Sequence, residues 1–244
     1  MHMEASPPLL WVTGAGSGMG RAIALAAAER GYKVALSGRR SDSLKDVARD
    51  ISDRGGTGLV VTMDTSDQES VARAHSTIEN EWGTVTHVAL SAGLNSVQRY
   101  WHNQSMHDFS SVVQTNLIGA TLVVDAVLPS MRQIGLGTIV FISSVAGWRY
   151  AKEAGVAYSA SKTALSSLTK TLNDELNGDG IRACHLCPGV VDTDFLSLRP
   201  SVPGKEERAT MLTPDDIAMA VQFVLDAPKN ICLNELVITP VSAA

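Results

Sequence analysis

Cysteine is scarce in this 244-residue chain, with three residues in all. So small and odd a number excludes a disulfide framework and fits a reducing compartment. Cys184 and Cys187 form a C-x-x-C pair, but no second pair follows. The surrounding run from Ile181 to Cys187 reads as a strand, on which positions three apart face opposite sides. No metal is therefore assigned. Excess positive charge is lacking as well: 20 Lys and Arg stand against 25 Asp and Glu, for a net charge of -5. With the basic residues scattered, there is no broad face for nucleic-acid phosphates. No apolar run approaches the ~20 residues of a membrane span. Glu4, Pro7 and Pro8 stand where a signal peptide would carry a basic and then an apolar stretch. The expectation is a soluble cytoplasmic protein that binds neither nucleic acid nor membrane. Linkers rich in Pro, Gly and Ser, low-complexity tracts and short repeats are also missing, so one domain over 1–244 is expected.

What the chain does have is alternation. Short β-rich runs at 8–13, 33–37, 58–63, 85–90, 138–143, 181–187 and 235–239 are separated by stretches of helical spacing. The helical stretches lie near 18–30, 41–53, 67–81, 106–132, 154–177 and 214–227. Strand and helix in strict succession predict an α/β fold, a doubly wound parallel sheet of seven strands with helices on both faces. Runs such as Ile139-Val140-Phe141-Ile142 are apolar throughout, as strands covered on both sides must be.

Ligands of such sheets bind at the carboxyl ends of the strands. The first strand-to-helix turn is Thr13-Gly14-Ala15-Gly16-Ser17-Gly18-Met19-Gly20. Four glycines in seven residues are costly in backbone entropy, and a phosphate cradle at a helix N-terminus would justify them. A helix-packing turn is the alternative. No Gly-Lys-Ser/Thr follows, so the loop is not a Walker loop. The second strand ends at Gly38-Arg39-Arg40, without the acid that usually holds the free ribose 2′-hydroxyl of NAD. Two arginines there suit a 2′-phosphate, whereas the alternative is a solvated pair at a helix start. Further along, Tyr158 and Lys162 stand four apart in a helical segment, on one face. An ammonium beside a phenol lowers its pKa, which would let the pair move protons to and from an alcohol. Ser143 and Ser144 end the fifth strand and should open onto the same crevice.

Together and in this order, these pieces resemble the short-chain dehydrogenase/reductase family over nearly the whole chain. TGAGSGMG is similar to its TGxxxGxG loop, VAYSASK to its YxxxK, IVFISSVAG to its serine-bearing strand end, QTNLIGA to its Asn-containing helix, and CPGVVDT to its PG motif. The resemblance implies Tyr158 as general acid/base, Lys162 as the residue that lowers its pKa and grips the nicotinamide ribose, and Ser144 as the hydroxyl orienting the substrate. It implies that Asn116 holds a proton-relay water. Gly14, Ser17, Gly18, Met19 and Gly20 would cradle the pyrophosphate, and Asp64 and Thr65 the adenine. Ala92 and Gly93 would also line the cofactor, with Pro188, Gly189, Val191 and Thr193 at the nicotinamide.

There are two departures. Ser91-Ala92-Gly93 replaces the family's Asn-Ala-Gly, with the serine expected to hydrogen-bond locally. The spacing from Ser144 to Tyr158 is one longer than in many members, which leaves Ser143 as the alternative; Ser144 directly precedes Val145-Ala146-Gly147 and is preferred. The implied activity is hydride transfer between NADP(H) and a small carbonyl or alcohol. An NAD-dependent alcohol dehydrogenase is the alternative enzyme, and a catalytically silent dinucleotide sensor the alternative from another class. A homo-oligomer, tetramer or dimer, is implied by the resemblance alone. The loop near 194–211 and the stretches around Trp101 and around Trp148 and Tyr150 are expected to cover the substrate, with a subunit contact as the alternative for Trp148 and Tyr150; the sequence leaves the substrate's identity open.

Overall fold

In the computed structural model, residues 7–241 are described; Glu4 of the leader expectation lies outside them. Seven parallel strands form one sheet in the order β3-β2-β1-β4-β5-β6-β7. They are β1 (Leu9–Thr13), β2 (Lys33–Gly38), β3 (Thr57–Thr62), β4 (His87–Leu90), β5 (Gly137–Ile142), β6 (Ile181–Pro188) and β7 (Glu235–Ile238). The expected strands agree with these to within two residues. The chain reverses winding direction between β1 and β4, which opens a crevice at their carboxyl ends.

Each central strand feeds two cores, because successive side chains point to opposite faces. Leu10 and Val12 pack with α1 (Gly18–Glu29), α2 (Ser41–Asp53) and α9 (Pro214–Leu225). Leu9 and Trp11 pack on the other side with α3 (Gln68–Trp82), α5 (Gly119–Ile134) and α7 (Val156–Leu176). Trp11 is fully buried, and its indole N–H is satisfied by the Ser37 hydroxyl at 2.8 Å. Burial on both faces is the reason the strand sequences are apolar without alternation.

Three expectations need correction. The helix expected over 106–132 is α4 (Met106–Val113), a π-helical turn Gln114–Ile118, and α5, which runs on to Ile134. An inserted turn leaves the apolar periodicity on either side intact, so pattern alone does not reveal it. This continuous 106–134 helix is also long and apolar enough to cross a membrane, with a mean hydropathy of 1.5 in its best window. The reading that no such stretch exists was therefore too strict. Here the helix lays Val123, Val124, Val127 and Met131 into the core. Third, the 194–211 loop holds a 3₁₀ turn, Asp194–Leu198, and the short helix α8 (Lys205–Arg208).

Candidate active site

The glycine loop joins β1 to α1 with no room to spare. Gly14 has φ +66°, and a Cβ there would lie 2.9 Å from the Ala92 backbone, at the exit of β4. A Cβ on Gly20 would come within 2.3 Å of the Gly14 carbonyl oxygen. Glycine lets β1, β4 and the first turn of α1 converge, so the unpaired N–H groups of that turn face the crevice. Ser17, the N-cap of α1, makes no capping bond; its hydroxyl instead accepts from Arg40 at 3.3 Å. Among the described residues the Ser91 hydroxyl makes no hydrogen bond, contrary to the local bond expected of it. The segment after β4 is tied down by the Ala92 N–H donating to Thr13 Oγ1 at 3.2 Å.

A cleft of about 650 Å³ runs from this loop along the strand ends. Arg39, Arg40, Asp64 and Thr65 line it beside β2 and β3; Gly93, Ser144, Tyr158 and Lys162 line its middle, and Pro188, Gly189, Val191 and Thr193 the far wall. Asp64 Oδ1 accepts from the N–H and hydroxyl of Ser66, which holds its carboxyl below the usual range, with help from Arg39. Thus the fold brings residues dispersed over 180 positions of sequence to one crevice. Cradle, free helical N–H groups and paired arginines fit a phosphorylated dinucleotide.

Tyr158 and Lys162 lie one turn apart on α7. The Lys162 ammonium is buried, donates to the Ile142 carbonyl at 2.7 Å, and stands 5.6 Å from the Tyr158 ring centroid. Burial pushes its pKa down to about 8. Burial likewise pushes the Tyr158 phenol up to about 12, against the pull of the Ser144 hydroxyl and the charges of Arg99 and Arg199. Lys162 is not among the groups that shift the phenol here. Its ammonium is directed at a backbone carbonyl, so desolvation prevails.

The two serines differ in their surroundings. The Ser143 hydroxyl is buried against the Lys162 carbonyl at 3.2 Å and His185 Nε2 at 2.8 Å. Ser144 caps α6 (Val145–Trp148) by accepting from the Ala146 N–H, and it stands beside Tyr158. Asn116, in the π-helical turn, is buried and fully engaged. Its Oδ1 accepts from the Leu94 N–H at 2.7 Å, and its Nδ2 donates to the Leu94 carbonyl and the Ser161 hydroxyl. The side chain thereby ties the exit of β4 to α7.

At the substrate end, Phe195 of the 3₁₀ turn faces Tyr158 with ring centroids 6.1 Å apart. Trp101, Trp148 and Tyr150 do not line the cleft; Trp101 and Tyr150 are more than four-fifths exposed. Trp148, Arg149 and Tyr150 are all exposed, where the backbone becomes extended at Arg149. Arg99 occupies the place expected of them. It is 3% exposed, and its guanidinium donates to the carbonyls of Ser96, Glu153 and Leu198. Sequence reasoning missed it, since a lone arginine in a loop carries no periodic signal.

Cys184 packs in one core while Cys187, on the opposite face of β6, lies beside His185 two positions before it, as strand geometry requires. The donor atoms of His185, Cys187 and Glu235 lie within 4.8 Å of one another. Burial and the Glu235 charge push the Cys187 thiol up to about 12, so it is a neutral thiol there.

The comparisons agree with this geometry. The sequence profile of the short chain dehydrogenase family matches residues 9–201. An uncharacterized oxidoreductase of Staphylococcus aureus is 33% identical over 230 residues, covering 94% of this chain and 96% of its own. The alcohol dehydrogenase of the archaeon Thermococcus sibiricus, solved with 5-hydroxy-NADP, superposes with a TM-score of 0.86 at 31% identity, over 96% of this chain and 97% of its own. A 3-ketoacyl-(acyl-carrier-protein) reductase of Brucella melitensis, solved with NADH, gives 0.87 at 26% identity, over 97% and 98%. With its matching profile, glycine cradle and Tyr158/Lys162 pair, this chain belongs to the short chain dehydrogenase family of oxidoreductases.

Proposed function

We propose that this protein is an NADP(H)-dependent reductase of a small carbonyl compound, running in reverse as an alcohol dehydrogenase. The observation that carries the reading is the meeting of Tyr158, Lys162 and Ser144 in the cleft that begins at the glycine cradle. Bound nicotinamide supplies the hydride. The chain's own residues supply the proton and the orientation. A phenol with its pKa pushed up to about 12 is protonated at neutral pH and suited to donate to a developing alkoxide. Ser144 orients the substrate oxygen by hydrogen bonding, and Lys162 adds a buried positive charge. The engagement of the Asn116 side chain with Leu94 and Ser161 supports a positioning role, with any relay water left to its backbone.

Arg39 and Arg40 support NADP(H) over NAD(H). Both are exposed at the end of β2, which lacks the acid usual in NAD sites, and the Asp64 carboxylate nearby is acted on by Arg39. Arg39 makes no ion pair among the described residues, which leaves its guanidinium for the ligand; Arg40 already bridges to Ser17. The Thermococcus sibiricus and Brucella melitensis enzymes were solved with different dinucleotides, so this reading is supported by the arginines rather than by those relatives. Exposed Met219 and Phe223 on α9 support a homo-oligomer, and the composition supports a cytoplasmic setting.

The test is NADPH oxidation over a panel of ketones, aldehydes and sugars. Turnover of at least one carbonyl, lost in Tyr158→Phe, is the expected result. Cofactor binding without turnover of any carbonyl or alcohol would favour the silent sensor.

A further inference from the structure

The substrate end of the cleft carries two guanidinium groups, neither ion-paired with a carboxylate among the described residues, although the Glu153 charge acts on Arg99. Arg99 is buried, yet its three hydrogen bonds all go to backbone carbonyls, on the segments bearing Ser96, Glu153 and Leu198. Carbonyl dipoles orient a buried cation without neutralising it. The next residue after Leu198 is Arg199, half-buried and also lining the cleft, and its side chain has neither ion pair nor hydrogen bond among the described residues. Two acids share this region. The Glu153 carboxylate accepts from the Tyr100 hydroxyl at 3.2 Å, Asp194 is exposed, and neither forms an ion pair with Arg99 or Arg199 among the described residues. Both arginines are close enough to Tyr158 for their charges to act on its phenol, and close enough to each other for Arg199 to lower the pKa of Arg99. Like charges held together in a partly desolvated pocket are an unfavourable arrangement that an anion relieves.

We infer that Arg99 and Arg199 form an anion-binding end of the substrate cleft, so that the substrate carries a carboxylate a few bonds from its reacting carbonyl or alcohol carbon. This rests on the reductase reading above and narrows its substrate class to oxo acids and hydroxy acids. Arg99 is the fixed charge, locked by its three carbonyls. Arg199, directly after the 3₁₀ turn that brings Phe195 against Tyr158, is the contacting group. A planar guanidinium meets a carboxylate through two parallel hydrogen bonds, which orients the oxo carbon as well as binding it.

The experiment compares 3-oxobutanoate with its methyl ester, and 4-oxopentanoate with its methyl ester, in NADPH-dependent reduction. Wild type is expected to favour one of the acids over its ester in kcat/KM by about 10- to 100-fold, the worth of a charge-assisted hydrogen bond. That ratio should shrink with added salt. It should collapse towards unity in Arg199→Gln and return in part in Arg199→Lys. A loss of packing would lower acid and ester alike and leave the ratio in place. Arg99→Gln removes three backbone ties and is not needed for the decision. Equal turnover of acid and ester, unaltered in Arg199→Gln, overturns the inference while leaving carbonyl reduction standing. If neither acid nor ester is reduced, the carbonyl panel above still decides the reductase reading, and calorimetry with 3-hydroxybutanoate decides this inference separately. Binding that Arg199→Gln abolishes upholds it, and absence of binding, or binding indifferent to that change, overturns it.

Discussion

The Lys162 ammonium lies 5.6 Å from the centre of the Tyr158 ring while its hydrogen bond runs to the Ile142 carbonyl at 2.7 Å. The lysine is thus held by the end of β5, independently of the tyrosine beside it. Its pKa, pushed down to about 8 by burial, means that it is charged below pH 8 and neutral above. The Tyr158 phenol keeps its proton over the same range. For reduction, kcat/KM for NADPH reports the free enzyme. It should be level below pH 8 and fall as the pH rises through about 8. Lys162→Arg, always charged, should remove this fall or move it upward by more than one unit. An unmoved break in that variant would mean that another group titrates.

Tyr158→Phe deletes only the hydroxyl, and the phenyl ring can keep its contact with Phe195. Fold and cofactor affinity should survive, while turnover drops about 10²- to 10⁴-fold, as for loss of a positioned general acid. Circular dichroism, NADPH titration and single-turnover kinetics on the variant check the three parts separately.

Arg39 is exposed at the end of β2 and makes no ion pair among the described residues. A charge-assisted bond to a 2′-phosphate predicts tighter binding of NADPH than of NADH by about 10- to 100-fold. Arg39→Ala should lose most of that preference by weakening NADPH alone. Equal wild-type affinities for the two cofactors would refute the assignment.

Gly20→Ala would drive a Cβ to 2.3 Å from the Gly14 oxygen, and backbone on both sides leaves nothing soft to yield. Overpacking of this kind costs about 1–3 kcal/mol, and the displaced turn should weaken dinucleotide binding further. Gly178 is the control, because a Cβ there meets nothing within 4 Å. Urea unfolding of the two alanine variants should separate them clearly.

His87 is buried edge-on against Tyr32, with ring centroids 5.3 Å apart. Burial, aided by Arg182 and opposed by Asp226, pushes its pKa down to about 4 from an ordinary 6.5. Between those values the unfolded chain binds a proton that the folded protein refuses. Stability from this group is therefore complete above about pH 6.5 and declines as the pH falls towards 4, by up to about 3 kcal/mol. Unfolding free energies measured from pH 7 to 4.5 should show that slope, and His87→Gln should flatten it.

Much of this protein could be read from its residues in order. Buried parallel strands must be apolar on both faces, and helices covering them must repeat their apolar positions every three or four residues, so period alone reports the α/β architecture. Glycines at the first turn, arginines after β2 and the Tyr158/Lys162 spacing are local signals whose chemistry follows from residue type. The π-helical turn at Gln114–Ile118 escaped notice because it leaves the apolar stripe on either side unbroken.

The tertiary structure decided what depends on contacts between distant segments. Ser143 and Ser144 are adjacent and alike in sequence, but packing commits Ser143 to Lys162 and His185 and leaves Ser144 beside Tyr158. Trp148 and Tyr150 read as substrate-facing aromatics or a subunit contact, and the fold leaves both exposed outside the cleft. Arg99 drew no attention as one charge in a loop, and it became a buried cation only when three segments folded their carbonyls around it. The pKa values of Tyr158 and Lys162 were settled in the same way. Sequence spacing announces the neighbouring charge, whereas desolvation, which outweighs it here, exists only once the core has closed.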